Sequence, residues 1–328
     1  APVLAGVGVD AEPARGGAIN PNAFHPFFAY AMGGLFVMHF MVCGATAAVR
    51  RASLVGVALF AVHVVATGMA APPHQILGTA VYYQGIGSAL VLAASLRRRR
   101  TAGNADPAGD LLMAGAVMPL LVLASRFYLD LTVLLAPLTR DAALLRFDGS
   151  LGFQASALLA ALMLRLPGME ELSRLAYGGL PLMAACSIAL QLRSHRPSGA
   201  ALVAFVAIGV LGYLIYFIYP AAGPVYLLGT DFPFALPDPA RVPLAMAPVI
   251  PASRNAMPSL HMAWAVAMYL AVADRPRGWR LAFAAFAALT AFATLALGEH
   301  YLVDLVVAFP FALAVHAACD GASLRTPR

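Results

Sequence analysis

Residues 281–319 read LAFAAFAALTAFATLALGEHYLVDLVVAFPFALAVHAAC. Two long apolar stretches flank a short polar segment, Gly298-Glu299-His300-Tyr301-Leu302-Val303-Asp304. A bilayer crossing takes about 20 apolar residues as a helix. Neither stretch alternates as a strand would, so the pattern predicts a membrane helix, a polar break and a second membrane helix. His300 and Asp304 are four apart and share one helix face. A carboxylate at the start of a membrane helix is costly without a partner, and His300 is the partner at hand. An aspartate bonded to one imidazole nitrogen fixes the tautomer and leaves the other nitrogen basic or nucleophilic. A purely structural His–Asp pair is the plainer reading of the same spacing.

The pattern repeats along the whole chain. Apolar runs fall at about 24–49, 52–71, 75–96, 111–136, 151–166, 173–192, 199–219, 258–273, 281–298 and 301–319. They predict an all-α, polytopic transmembrane helical bundle of nine or ten spans. Composition agrees: 61% of the 328 residues are hydrophobic and only 11% charged, against about 25% charged in soluble domains. This excludes an ordinary soluble globule, a disordered chain and a nucleic-acid-binding domain. All 21 basic residues are arginines. Most sit between apolar runs, where membrane topology places them, so the net charge of +6 needs no acidic partner. A lipid-headgroup patch at Arg97–Arg100 is the alternative for that cluster. Cys43, Cys186 and Cys319 lie in separate apolar runs without metal-ligand spacing and read as small buried hydrophobes.

Breaks divide the chain into a tail at 1–23, N-terminal membrane helices at 24–136, an interfacial segment at 137–150, a six-helix core at 151–319 and a tail at 320–328. The segment 137–150 mixes Arg140, Asp141, Arg146 and Asp148 with leucines, a pattern suited to a helix lying at the membrane surface. The longest interruption, Tyr219 to Pro258, is too rich in proline to be one helix. It leads into Arg254-Asn-Ala-Met-Pro258-Ser259-Leu-His261-Met-Ala-Trp264. Pro258 suits the first turn of a helix, which would place Ser259 and His261 in that turn. Free N–H groups and the helix dipole favour an anion there, and Arg254 adds a permanent cation with a planar fork of donors. A capped helix with a satisfied histidine is the alternative. Two histidines and a carboxylate at neighbouring helix starts suit phosphoryl transfer, one histidine attacking phosphorus and the other protonating the leaving oxygen.

At these residues the chain resembles the type 2 phosphatidic acid phosphatase superfamily. Pro258-Ser259-x-His261 and His300-x-x-x-Asp304 look like its second and third motifs, and the resemblance covers about 150–319. It implies a six-helix core, His300 as a nucleophile forming a phosphohistidine, Asp304 as its orienting partner, His261 as general acid and Ser259 on the phosphate. The chain departs from the pattern in two places. The first motif's lysine has no counterpart, and Thr294 stands where the third motif usually has arginine. Tyr219-Pro-Ala-Ala-Gly-Pro-Val-Tyr226, Met257–Met262 and Glu299–Asp304 are more similar to the inositol-phosphorylceramide synthase and sphingomyelin synthase branch, which moves a phospho-headgroup between lipids. Arg254 is the first candidate to replace the missing cations, and Arg241 the second.

The expected partners are a phospholipid or polyprenyl phosphate from the bilayer and a hydroxyl acceptor or water; no metal or cofactor is called for. Tyr219, Tyr226, Glu299, Arg126 and Asp130 are candidate headgroup contacts. For Arg126 and Asp130, four apart within an apolar run, an internal ion pair is the plainer reading. A transporter or a non-catalytic scaffold would also explain the spans, although transporter sites usually lie at mid-membrane. With ten full crossings, the arginines at 50–51 and 97–100 cannot share a side with those at 193–196 and 275–280. One run must therefore fail to cross, and the interrupted 111–136 run is the first suspect. The arginines near 193 and 275 place the catalytic loops outside the cytoplasm, in a bacterial inner membrane given the alanine- and arginine-rich composition.

Overall fold

Each of the ten apolar runs folds as a helix or a helix pair in the computed structural model, which describes residues 21–69, 73–99, 108–193, 199–249 and 252–323. The expected tails fall largely outside these residues, as do Arg100 and Arg196; where the tails overlap them, at 21–23 and 320–323, the backbone is helical. The N-terminal part holds α1 (Pro21–Cys43), α2 (Ala47–Thr67), α3 (Pro73–Arg99) and α4 (Ala108–Leu135). Then come α5 (Asp141–Ser150), α6 (Ala155–Arg165), α7 (Met169–Gly178), α8 (Leu180–Leu192) and α9 (Gly199–Ile218). The short α10 (Pro224–Leu228) precedes α11 (Leu260–Ala271), α12 (Arg277–Ala296) and α13 (Leu302–Ser323). Among the described residues, α2, α3, α4, α9, α12 and α13 are long and apolar enough to cross a membrane. The protein is an all-α, integral membrane bundle.

The N-terminal helices pack through small residues. A side chain on Gly85 would collide with the Met32 carbonyl, and one on Gly87 with the Ala52 carbonyl. Close backbone approach of this kind is how helices associate without a hydrophobic drive from water. Among the described residues, one strand pairing joins β1 (Leu138–Thr139) to β2 (Ala247–Pro248), antiparallel, with Leu138 opposite Pro248. It ties the end of α4 to the proline-rich loop, which otherwise runs as α10, two single 3-10 turns and extended chain.

The topology conflict in the sequence resolves at α6. The 111–136 run is not broken: α4 is one 28-residue helix that accommodates Pro119, Arg126 and Asp130. The short element is α6, with eleven residues, about 16 Å of rise against the ~30 Å hydrocarbon core. It meets α5 at 83°, so the two cannot form one straight crossing. The end of α4, the end of α9 and the loops after them meet at one end of the bundle, where Arg140 N donates to Pro220 O. α8 runs from Leu180, on the cavity described below, toward Leu192 at the other end. α11 and α12 are joined at that other end too, through Arg275 and Arg277. α1 starts at the cavity with Phe27 and α4 ends on that side, so the start of α2 with Arg50 and Arg51 and the end of α3 with Arg97 lie at the other end as well. The arginine clusters therefore share one end, and the two histidine motifs sit at the opposite one.

Candidate active site

The starts of α11 and α13 are fastened to each other. Ser259 is the N-cap of α11, its Oγ accepting from Met262 N at 3.4 Å. Its own N–H donates to the Asp304 carbonyl at 3.2 Å. Pro258 precedes the cap instead of occupying the first turn, and His261 falls in that turn. At α13, Asp304 reaches back so that Oδ2 accepts from Tyr301 N at 2.8 Å, half of a capping box. Asp148 on α5 completes this start, accepting from Leu302 N at 2.6 Å and Val303 N at 3.2 Å. A buried carboxylate suits a helix N-terminus because it satisfies orphan N–H groups and opposes the dipole.

These caps bring the two motifs together. The rings of His261 and His300 lie 6.4 Å apart, centroid to centroid. His300 is 1% exposed and its Nδ1 donates to the Ala256 carbonyl at 2.9 Å. With Nδ1 so engaged, the proton sits there and Nε2 keeps its lone pair. Asp304 is fully buried beside it, Oδ2 standing 3.5 Å from Nδ1. At that distance it is an electrostatic neighbour more than a bonded partner; the short bond goes to the main chain. Burial pulls the His300 imidazole down to about 4, against the opposing influence of Glu299 and the Ala256 bond, so the ring is neutral near pH 7 and able to attack. His261 stacks on Tyr177, with centroids 3.8 Å apart and planes at 19°. Its Nε2 is buried with no hydrogen-bond partner among the described residues.

A cavity of about 360 Å³ opens beside His261, lined also by Tyr177, Tyr226, Asn255, Trp264 and Glu299 among others; His300, Asp304 and Ser259 lie behind this wall and not in it. That volume is in the range of small-molecule sites. Tyr226 donates its hydroxyl to both Glu299 oxygens, at 3.0 and 3.1 Å. Burial raises the Glu299 carboxyl above its ordinary range, while His300, Tyr226 and Arg174 pull it down.

Arg254 departs most from expectation. It is fully buried, and its guanidinium is bound by main-chain carbonyls. Nε donates to Ala136 at 2.9 Å, Nη2 to Pro137 at 2.9 Å, and Nη1 to Val249 at 2.7 Å and to Ala252. Four of its five N–H groups are therefore used, and it does not line the cavity. Arg241 is exposed and paired with Asp238 at 3.2 Å, also away from the cavity. Tyr219 lies beneath Arg140, whose guanidinium carbon is 5.3 Å from the ring centre, and it too is not in the lining. Arg126 and Asp130 form the expected ion pair at 3.2 Å, and Arg126 reaches the cavity wall.

The sequence reading passed over two carboxylates and two tyrosines. Asp141 and Asp148 look like interfacial charges, yet both are fully buried. Asp141 accepts from Ala222 N, Gly223 N and the Tyr301 hydroxyl at 2.8–3.1 Å. It holds the glycine turn in which Gly223 takes φ +118 against the Glu299 carbonyl. Their spacing of seven, which places both on one face of α5, was the available signal. Tyr177 and Tyr301 carried no local signal, since their partners come from distant elements.

The structure is a helical membrane bundle with a His/His/Asp cluster at two joined helix starts. A family model of the PAP2 superfamily matches residues 142–318, just over half of the chain, and the chain belongs to that superfamily of lipid-type phosphatases and phosphotransferases. The match begins at the second residue of α5, so it includes Asp148, stops one residue short of Asp141 and leaves α1–α4 outside. No match was found among curated proteins or among solved structures.

Proposed function

We propose that this protein is a membrane lipid phosphotransferase or phosphatase working through a phosphohistidine. The observation that carries the reading is the His261–His300 pair, 6.4 Å between ring centres, with Nδ1 of His300 held by a main-chain carbonyl. His300 Nε2 attacks phosphorus as the bond from phosphorus to the leaving oxygen breaks, and His261, neutral at rest and carrying a proton taken up with the anionic substrate, gives that proton to the leaving oxygen. A hydroxyl acceptor or water then attacks the phosphohistidine. Its proton passes to His261, the P–N bond breaks and both histidines return to their first state. Asp304 steadies the positive charge that develops on His300, and the α11 start adds a favourable dipole for the phosphate. Ser259 acts through the cap that sets this start. The Tyr226–Glu299 pair faces the headgroup. Arg254 acts at one remove: it fixes the 252–256 segment whose Ala256 carbonyl orients His300. The likeness of the Tyr219–Tyr226 segment to the inositol-phosphorylceramide and sphingomyelin synthase branch favours transfer to a lipid hydroxyl over hydrolysis. The donor is a phospholipid or polyprenyl phosphate, and the arginine-bearing end faces the cytoplasm of a bacterial inner membrane.

The test is turnover of a panel of labelled phospholipids and polyprenyl phosphates by purified protein in liposomes, with and without lipid-alcohol acceptors. Wild type should release or transfer the phospho-group, while His300→Ala and His261→Ala should fall by at least about a hundredfold. A product that needs the acceptor selects transferase. Folded wild type inert across the panel, or a fully active His300→Ala variant, would defeat the reading in favour of a transporter or scaffold.

A further inference from the structure

The cavity has a wall that the family match does not cover. Phe27 from α1 and Leu121, Ser125, Arg126 and Leu129 from α4 line it together with His261 and Trp264, whereas the match starts at residue 142. Phe27 also meets the His261 ring edge-on, with centroids 5.7 Å apart. The N-terminal helices are thus part of the site, and Arg126 is the arginine in their wall. The guanidinium is well disposed for a ligand. Nε faces Asp130 Oδ2 at 3.2 Å, and among the described residues no hydrogen bond engages either Nη nitrogen. Nε is buried without a hydrogen bond among the described residues, so the ion pair holds the group by charge and leaves its forked end open.

Arg126 is nine residues before the end of α4, about 13 Å down that helix. Arg126 and His261 line the same cavity. A charge so far inside a membrane helix is costly and is retained for function more often than for packing. A guanidinium fork matches phosphate oxygens two at a time.

We infer that Arg126 is the fixed cation of the cavity and holds the phosphate group of an anionic lipid, with Asp130 as its positioning residue. This rests on the lipid-phosphate reading above, but its test does not require turnover. Trp264 lines the cavity, and the second tryptophan, Trp279, lies at the start of α12. Full-length Trp279→Phe protein in detergent therefore reports binding through Trp264 emission in the first phase after mixing. The probes are short-chain phosphatidic acid, diacylglycerol with the same chains, and inorganic phosphate as competitor. The phosphatidic acid should bind at least about tenfold more tightly than the diacylglycerol, the cost of losing one charge-assisted bond. Arg126→Gln should shrink that preference to within about twofold, and Arg126→Lys should keep part of it. Competition by inorganic phosphate that Arg126→Gln abolishes would show that free phosphate is also recognised; phosphatidic acid binding without such competition would assign the phosphate of the lipid headgroup alone. An intact preference in Arg126→Gln, no preference in wild type, or equal weakening of both lipids would overturn the inference. Arg126-dependent binding in a protein that turns over nothing would defeat the catalytic reading and leave this one standing.

Discussion

Arg254 shows how one residue type can satisfy two opposite expectations. Next to a Pro-Ser-x-His motif, an arginine reads as a phosphate ligand. Its burial among four main-chain carbonyls makes it the pin of the loop that carries Ala256. Those carbonyls are satisfied only by a side chain with several donors in one plane. Arg254→Gln should therefore lower stability by several kcal/mol, since each unpaired buried carbonyl costs about 1–3 kcal/mol. Turnover should fall with it, because His300 loses its anchor. Thermal unfolding of the purified variant decides the matter: an unchanged midpoint with weakened phosphate binding would return Arg254 to the ligand role. The sequence made the residue conspicuous but could not say where its fork points. That depends on the ends of α4 and β2, more than a hundred residues and a few residues away respectively.

Among the elements, α5 holds the site together. Its sequence, Asp141-Ala-Ala-Leu-Leu-Arg-Phe-Asp148, has the mixed character of a surface helix, and periodicity shows that much. Periodicity cannot show that its acidic face meets the undercapped start of α13, because that start is made by chain some 150 residues further on. The helix-start motifs were legible because their groups are local: Ser259 caps its own helix, and His300 and Asp304 are a turn apart. Asp148→Ala would leave the partly buried Leu302 and Val303 N–H groups unpaired. We expect a loss of about 2–4 kcal/mol and a fall in kcat, since the Tyr301–Asp304 turn beside His300 loosens. Asp148→Asn keeps one acceptor and should retain more of both. Denaturation and turnover measured on the two variants check this; an alanine variant as stable and active as wild type would remove α5 from the site's support.

At the scale of the whole molecule, the sequence defined the helices but left their count of crossings inconsistent with the arginines. The conflict disappears if α6 is not a full crossing. Its run continues the apolar composition of its neighbours, but eleven residues set at 83° to α5 do not span a bilayer. With α6 set aside, Arg50, Arg51, Arg97, Arg193, Arg275, Arg277 and Arg280 gather at one end, and α10, Glu299 and His300 at the other. Arginine at short loops sets orientation by staying on the cytoplasmic side, so the catalytic end should face away from the cytoplasm. Two exposed positions outside the proposed chemistry report the two ends. Thr230 lies in the turn after α10, and Gly278 lies at the start of α12, with open space around it. In a background where Cys43, Cys186 and Cys319 are replaced by alanine, Thr230→Cys should react with a membrane-impermeant maleimide in intact cells. Gly278→Cys should react only after the membrane is opened. Labelling of Gly278→Cys and protection of Thr230→Cys in intact cells would invert the molecule and place the phosphate chemistry in the cytoplasm. Labelling of both from outside would mean that the arginines are divided between the two faces and that α6, or another helix of the set, crosses after all.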